Sequence, residues 1–307
     1  MRIVFFGTPD FAVPSLEGLL RERYDIAAVV TRPDTPQGRS RSTLVPPPVK
    51  EVAERAELTV LQPERPVGDV FLASLRRLDP DLGVVVAYGH ILRHELLTLF
   101  PRGMINVHAS LLPRFRGAAP IQHAILAGES FTGVSIMRME EGLDSGPVLA
   151  YARTPILPEE TAGQLSARLA DLGAQALHTA LRDLEAGALH PKPQDSSLAT
   201  YAPKVDRAAA RLDWNSPPTA LARQVRAFDP APGAWTTHRD APLKLFRPSI
   251  VEAEGEPGTV LSAGNDLVVA ALGGALSVRE VQPAGKSRLP VADWVRGRGI
   301  VEGERLR

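Results

Sequence analysis

The feature that most constrains the fold is a series of short, continuously apolar segments separated by amphipathic ones. Four segments are mainly apolar and of strand length: residues 3–7, 26–31, 81–88 and 104–108. Three segments between them have helical periodicity: residues 11–23, 49–57 and 70–78. Because strands without alternation are buried on both faces, this order predicts a parallel sheet covered by helices, a Rossmann-like α/β architecture.

A second, smaller domain is predicted beyond a passage rich in proline and serine. We expect an N-terminal domain over residues 1–188, a linker over 189–204 and a C-terminal domain over 205–307. The C-terminal part has one helical pattern, at residues 217–227. It is followed by short apolar runs separated by glycine-containing turns: residues 243–246, 258–263, 267–271 and 276–282. Short strands at such spacing predict a small antiparallel β-barrel.

Composition excludes several classes of function. The 307 residues include no cysteine, which removes thiolate nucleophiles, iron–sulfur clusters and the usual structural zinc sites. No apolar run approaches the roughly 20 residues of a membrane-spanning helix, and the N-terminus lacks a signal-peptide pattern, so we expect a cytoplasmic protein without membrane partners. The 35 basic and 35 acidic residues cancel, and only a small basic excess in the C-terminal part permits a surface that faces RNA.

One segment, residues 32–49, interrupts the strand–helix rhythm. It contains five prolines together with Arg39 and Arg41, a density that neither a helix nor a central strand tolerates. We therefore predict a long surface loop. Loops of this length in compact domains are either functional or poorly ordered insertions, and the segment alone leaves both open.

Candidate catalytic residues lie at the end of the fourth apolar segment. Asn106 and His108 are two positions apart on a short strand, so both side chains project from the same face. An amide and an imidazole can donate hydrogen bonds to a developing oxyanion, and a histidine can also transfer a proton. The alternative is that these side chains merely satisfy the polar groups of a strand end.

A carboxylate that could serve the histidine is Asp144, in the glycine-bracketed acidic loop at residues 139–147. Carboxylates orient and stabilise catalytic imidazoles. The alternative is a turn aspartate that caps its own backbone.

Phosphate and metal motifs are missing. The turn after residue 7 lacks the G-x-G-x-x-G pattern, and there is no P-loop. His90 and His94 have the spacing of zinc ligands, but Ile91 replaces the glutamate of H-E-x-x-H, so no metal site is predicted.

Taken together, several motifs make the chain resemble the methionyl-tRNA formyltransferase family in both order and spacing. They are residues 6–12, 32–34, 38–39, 47–50, 105–122, 132–134, 142–146, 202–204 and 226–228. The Asn-x-His and Ser-Leu-Leu-Pro motifs alone are shared with other users of 10-formyltetrahydrofolate, such as glycinamide ribonucleotide transformylase. The arginine-containing loop and the C-terminal domain distinguish the family that acts on tRNA.

The resemblance implies transfer of a formyl group from 10-formyltetrahydrofolate to the α-amino group of methionyl initiator tRNA, without a metal. The family's catalytic trio falls on Asn106, His108 and Asp144. Its folate-binding positions fall on Ser110, Leu111, Leu112 and Pro113, with Val86, Tyr88 and Ile91 beside the pterin pocket. Its tRNA-binding positions fall on Arg39, Arg41 and Lys50. The resemblance also implies that residues 1–188 are the catalytic domain, that 205–307 form an OB-like barrel bracing the tRNA, and that the protein is a monomer.

Two other functions remain open at this point. A formyltransferase acting on a small amine, such as glycinamide ribonucleotide or an amino sugar nucleotide, would use the same trio, but would leave the arginine loop and residues 205–307 without a role. A non-enzymatic folate- or RNA-binding module would keep the scaffold, although all three members of the trio are present here.

Overall fold

The computed structural model describes residues 1–37 and 43–307. The described chain forms two compact units. The first contains Met1–Pro120, Phe131–Pro155 and Ser166–Ala202, and the second contains Ile121–Ser130, Ile156–Leu165 and Pro203–Arg307.

Strands and helices alternate through the first half of the chain. The strands are β1 (Arg2–Gly7), β2 (Asp25–Val30), β3 (Thr35–Gln37), β4 (Thr43–Val45), β5 (Val60–Leu61), β6 (Leu82–Val86), β7 (Met104–His108), β8 (Phe131–Arg138) and β9 (Val148–Pro155). The helices are α1 (Val13–Arg21), α2 (Pro48–Arg55), α3 (Asp69–Arg76), α4 (His94–Leu97), α5 (Pro120–Ala127) and α6 (Ala162–Glu185).

The main sheet of the first unit has the order β5-β2-β1-β6-β7-β8-β9. The first five strands in this order are parallel, which confirms the α/β prediction. At one side the sheet is mixed, because β8 runs antiparallel to β7, and β9 antiparallel to β8. For β8 and β9 the short connection accounts for this direction, since residues 139–147 join them without a crossover helix.

Register brings the carboxyl ends of the central strands to one edge of the sheet. Gly7 pairs with Val86, and Val85 pairs with Asn106. The hydroxyl of Thr8 donates to the carbonyl oxygen of Tyr88 at 3.0 Å, which ties the ends of β1 and β6 together. In open α/β sheets this edge is where ligands bind.

A buried core beneath this edge fixes the strands. It is made of apolar side chains from the central strands and the helices over one face: Val4, Phe6, Val30, Leu72, Leu75, Val85, Tyr88, Leu92, Leu96, Phe100 and Met104. The Phe6 and Tyr88 rings pack edge to face at 5.6 Å, the favourable arrangement for aromatic pairs.

The proline-rich segment was predicted to be a surface loop, but part of it forms regular structure. The strands β3 and β4 form an antiparallel ribbon in which Thr35 pairs with Val45, and α2 begins at Pro48. A two-stranded ribbon consists of edge strands only, where proline is tolerated. Arg39 and Arg41 lie outside the described residues.

The second unit is mainly antiparallel β-structure, as predicted. Its remaining elements are α7 (Pro218–Ala227), β10 (Trp235–His238), β11 (Ala241–Val251), β12 (Val260–Ala263), β13 (Leu267–Ala271), β14 (Gly274–Pro283), β15 (Leu289–Pro290) and α8 (Val291–Arg296). The strand order is β10-β11-β14-β13-β12, with β15 also paired to β14, which makes a half-barrel.

The C-terminal tail connects the two outer strands of this half-barrel. Arg307 and Thr237 exchange backbone hydrogen bonds of 2.6 and 2.9 Å on the β10 side. On the β12 side, the Val260 amide donates to Glu304 at 2.8 Å and the Gly303 amide donates to Val260 at 2.9 Å. The tail therefore satisfies backbone groups that the edge strands would otherwise leave unpaired.

Over the described ranges 1–37 and 43–307, no helix combines the length and the apolar character needed to cross a bilayer.

Candidate active site

Asn106 and His108 occupy the carboxyl end of β7, as their spacing predicts. Asn106 is half-buried, and its side-chain amide has no hydrogen-bond partner within the described chain. His108 is 5% exposed. The strand thus presents a free amide next to an enclosed imidazole, and the amide is available to a ligand.

The imidazole of His108 faces an oxygen on each side. Its Nε2 lies 2.9 Å from the carbonyl oxygen of Phe115, and its Nδ1 lies 3.6 Å from Oδ2 of Asp144. A carbonyl only accepts hydrogen bonds, so Nε2 carries the proton of that contact. The neutral ring then has a bare Nδ1 opposite the carboxylate, whereas an imidazolium directs an N–H towards each oxygen. This arrangement suits a histidine that gains a proton during a reaction.

Asp144 is held by the loop that follows β7. Its Oδ2 accepts a hydrogen bond of 2.8 Å from the amide of Gly117, and its side chain is 18% exposed. Its φ of 46° lies in the left-handed region, which aspartate tolerates better than most residues. The structure therefore brings together Asn106, His108 and Asp144, the three residues predicted to be catalytic.

The predicted folate segment forms a tight turn beside the trio. The Ser110 hydroxyl donates to the carbonyl oxygen of Arg114 at 2.6 Å, so this side chain is engaged within its own loop. The Ser135 hydroxyl donates to the Ser110 carbonyl at 2.6 Å and accepts from the Leu112 amide at 3.0 Å. The Tyr151 hydroxyl donates to the Leu112 carbonyl at 2.9 Å. Sequence reasoning missed both hydroxyl residues, which lie on strands it did not predict. Leu112 is buried, and Leu111 and Pro113 are half-buried.

The remaining folate candidates lie at or beyond the end of β6 and differ in burial. Val86 and Tyr88 belong to the buried core, whereas Ile91 is 88% exposed. The Tyr88 hydroxyl is buried without a hydrogen-bond partner in the described chain. Burial raises the pKa of this phenol to about 12. Of these three residues, only Ile91 presents its side chain to solvent, so Val86 and Tyr88 offer a ligand mainly their backbone.

Near this strand end, His90 lies close to the ring of Tyr88, with a centroid distance of 5.2 Å. Burial lowers the pKa of His90, and the positive charges of Arg32 and Arg65 lower it further. His94 instead contacts Glu141, with Nδ1 2.8 Å from Oε1. Among the described residues no group of three potential ligands could hold a metal ion.

Lys50, the one predicted tRNA-binding residue within the described ranges, is engaged with protein groups. Its Nζ lies 2.9 and 2.8 Å from the carboxylate oxygens of Asp34. Gln62 donates to the same carboxylate at 2.7 Å, and its hydrogen bond, followed by that of Lys50, lowers the pKa of Asp34. Lys50 therefore anchors the end of the β3–β4 ribbon to α2.

A glutamine that sequence reasoning missed completes the site. Gln194, in the segment predicted to be a linker, donates to the carbonyl oxygens of Asp144 at 2.8 Å and Gly146 at 2.7 Å. Its own oxygen accepts from Arg116. Both acceptors are backbone carbonyls, which every residue type has, so no sequence motif predicts the contact.

Comparison with known proteins defines the class. A family model described as formyl transferase matches residues 1–181, and one described as formyl transferase, C-terminal domain, matches residues 204–299. The chain belongs to the formyl transferase family.

Two relatives in that family carry the same name. A methionyl-tRNA formyltransferase of Thermus thermophilus is 46% identical over 307 residues, which cover 100% of this chain and 99% of the relative. That of Symbiobacterium thermophilum is 48% identical over 311 aligned residues, covering 100% and 95%.

A solved structure shows the same fold. HypX from Aquifex aeolicus in complex with tetrahydrofolic acid matches with a TM-score of 0.69 at 21% identity, covering 96% of this chain. The chain spans 47% of the length of HypX. At this identity the likeness concerns the fold alone.

Proposed function

We propose that this protein transfers the formyl group of 10-formyltetrahydrofolate to the α-amino group of methionyl initiator tRNA. The observation that carries the proposal is similarity over the whole chain, including the second unit, to relatives named methionyl-tRNA formyltransferase. A formyltransferase for a small amine would use the same trio, but the relatives that share 46–48% identity with this chain carry the tRNA name. A non-enzymatic module would have no need of the trio. The chain keeps both the trio and the second unit.

The chemistry assigns a role to each member of the trio. An α-amino group has a pKa of about 7.7–8.0, so part of it is neutral and nucleophilic near neutral pH. Its attack on the formyl carbon generates an oxyanion and a nitrogen that must lose a proton. Collapse of the oxyanion then breaks the bond between the formyl carbon and N10 of the folate, and a proton delivered to N10 releases tetrahydrofolate. The unpartnered amide of Asn106 is free to donate to that oxyanion.

His108 supplies a second donor once its contacts are rearranged. In this structure Nε2–H points to Phe115, so donation to a substrate requires this hydrogen bond to be exchanged or shared. Hydrogen bonds of catalytic groups are often realigned when substrate binds. Asp144 stabilises the charged ring, and either His108, Asp144 or a water molecule accepts the proton of the amine.

For the donor, we propose that the turn at Ser110, Leu111, Leu112 and Pro113 contacts the folate. Val86, Tyr88 and Ile91 would border the pterin, the first two through their backbone. The HypX structure, described as a complex with tetrahydrofolic acid, supports a folate as the ligand class for this fold. The 10-formyl form is the member of that class that carries the group to be transferred.

For the acceptor, we propose that Arg39, Arg41 and Lys50 serve tRNA binding, with Lys50 also holding Asp34, next to β3. Residues 1–188 would form the catalytic domain, 189–204 the linker and 205–307 the domain that braces the tRNA. We further propose that the protein acts as a monomer in the cytoplasm, where initiator tRNA is charged.

The test is formyl transfer from labelled 10-formyltetrahydrofolate with the full chain. Charged initiator tRNA, charged elongator methionyl-tRNA, glycinamide ribonucleotide and an amino sugar nucleotide are offered in parallel. Transfer to the initiator species with strong preference over the others is expected. Turnover of a small amine alone would contradict the assignment of substrate.

A His108→Ala variant separates an enzyme from a binding module. The enzyme is expected to lose turnover by orders of magnitude while it retains folate affinity. Unchanged behaviour of the variant would contradict catalysis at this site.

A further inference from the structure

The segment predicted to be a linker is bound to the candidate active site along part of its length. We call residues 192–202 the strap. At its start, Lys192 and Val148 exchange backbone hydrogen bonds of 2.8 Å each. At its end, the Arg116 amide donates to Thr200 at 2.8 Å, and the Ala202 amide donates to Arg116 at 2.7 Å. The strap thus contacts the loop after β7 as well as the start of β9.

Between these anchors, Gln194 joins the two loops that carry the site. Its Nε2 donates to the carbonyl oxygens of Asp144 and Gly146, and its Oε1 accepts from Nε of Arg116 at 3.1 Å and from Nη2 at 2.8 Å. Four contacts use both ends of the amide. Because the guanidinium only donates and the carbonyls only accept, the orientation of the Gln194 amide is determined by its partners.

Arg116 adds an electrostatic reason for this arrangement. The residue is 5% exposed, and no carboxylate lies within 4.0 Å of its guanidinium in the described chain. A buried cation without hydrogen-bond acceptors is costly, so the Gln194 oxygen is a partner that Arg116 requires. Arg116 also immediately precedes Gly117, whose amide holds the Asp144 carboxylate.

Asp144 is consequently held from both sides. Gly117 binds the carboxylate and Gln194 binds the backbone, at a residue whose left-handed conformation is otherwise unfavourable. A shift of this backbone would move Oδ2 away from His108, now 3.6 Å distant. Displacements of about 1 Å in a reacting geometry reduce rates by about 100-fold.

We propose that Gln194 is a positioning residue for formyl transfer, which acts through Asp144 and is itself fixed by Arg116. The inference rests on the proposed function and adds to it that the strap, although outside the α/β sheet, is part of the catalytic apparatus. Substrate contact by Gln194 is not required.

The test is a double-mutant cycle between Gln194 and Asp144. Gln194→Met keeps the length of the side chain and removes all its hydrogen bonds. Asp195→Ala is the matched control, because Asp195 lies on the same strap and, among the described residues, its side chain hydrogen-bonds with Ser197 alone. Each variant is made alone, and Gln194→Met is also combined with Asp144→Asn.

We expect Gln194→Met to lower kcat by about 10- to 100-fold, with the KM for the folate donor little changed, and Asp195→Ala to stay within about twofold of wild type. If Gln194 acts through Asp144, the combined variant should be no slower than Asp144→Asn alone. Additive losses, an unchanged kcat, or equal losses in the control would overturn the proposal.

A second readout does not depend on activity. The ring ¹⁵N shifts of His108 should change in the same direction in Gln194→Met and in Asp144→Asn, and should remain unchanged in Asp195→Ala. If the wild-type protein transfers no formyl group, the proposed function fails while this comparison still decides whether Gln194 positions Asp144. Should Gln194→Met fold poorly, Gln194→Glu repeats the test. It keeps the acceptor for Arg116 and removes both donors, so normal His108 shifts and kcat in that variant would overturn the proposal.

Discussion

The charge of Asp144 is the element of the site whose removal has the most calculable effect. Asp144→Asn conserves the volume of the side chain and an oxygen that can accept from the Gly117 amide. It removes the negative charge that lies 3.6 Å from Nδ1 of His108. The substitution therefore isolates electrostatic stabilisation of the imidazolium from the packing of the loop.

The magnitude follows from Coulomb's law. Two unit charges 3.6 Å apart interact by about 4–5 kcal/mol at an effective dielectric constant of about 20. The His108 side chain is 6% exposed and that of Asp144 is 18% exposed, so water screens part of this interaction. The dipole of the asparagine amide would replace a further part. We expect a net loss of about 2–3 kcal/mol in the transition state, which corresponds to a rate about 30- to 150-fold lower.

Single-turnover formyl transfer at saturating donor and saturating methionyl-tRNA measures this step directly. The matched control is Glu141→Gln, which removes a carboxylate from the same loop. Glu141 is 69% exposed and pairs with His94 rather than His108, so the control should stay within about twofold of wild type. A rate for Asp144→Asn within threefold of wild type, or an equal loss in the control, would refute the electrostatic argument.

Three further substitutions have expected outcomes. Gly146→Ala should lower the Tm and the formyl-transfer rate, because a Cβ there would overlap the carbonyl oxygen of Arg138. The free energy of unfolding measured in urea should fall by about 1–3 kcal/mol, and an unchanged Tm would contradict the clash. Burial opposes ionisation of the Glu304 carboxyl group, but the hydrogen bonds that it accepts, first among them that from His238, outweigh burial and lower its pKa below 4.5. The ionised carboxylate therefore stabilises the fold above pH 4.5, and this stabilisation is lost as the pH falls. The stability of Glu304→Gln should thus approach that of wild type in acid-unfolding curves below pH 4.5, and a constant difference would argue against it. Tyr88→Phe should leave the KM for folate unchanged and should not lower the Tm, because the hydroxyl removed has no partner among the residues that the structure describes; a raised KM would show that it contacts the donor.

The local hydropathy pattern predicted the strands of the α/β sheet that are buried on both faces. The strands β1, β2, β6 and β7 are mostly buried along their length because both faces of the sheet are covered, and such mainly apolar runs are legible in one sequence. The strands β8 and β9 escaped prediction. In β9, half-buried and exposed positions alternate from Ala150, but the half-buried side chains are small and the exposed ones include Tyr151, so the alternation is absent from the hydropathy. In β8 the apolar run is broken by glycine, serine and threonine.

The site was predictable to the extent that its members are close in sequence. Asn106 and His108 share a face because they are two apart on a strand, which sequence spacing states directly. The acidic loop made Asp144 a candidate but left a turn cap as an alternative, and the family resemblance favoured the catalytic role. The structure placed its carboxylate beside His108 through a pairing that no local periodicity encodes.

Gln194 illustrates why the remaining part could not be read from the residues. Prolines and serines around it indicate a linker, because such composition is typical of segments that lack a core. Composition indicates only whether a segment can bury apolar surface. The strap is held instead by hydrogen bonds between its backbone and the backbone of neighbouring loops. The acceptors of Gln194 are main-chain carbonyls, which every residue type offers, so neither position 144 nor position 146 carries a side-chain signal for the contact. Through such contacts a residue 50 positions from Asp144 in sequence holds the Asp144 backbone in place. These contacts become visible only in the folded structure.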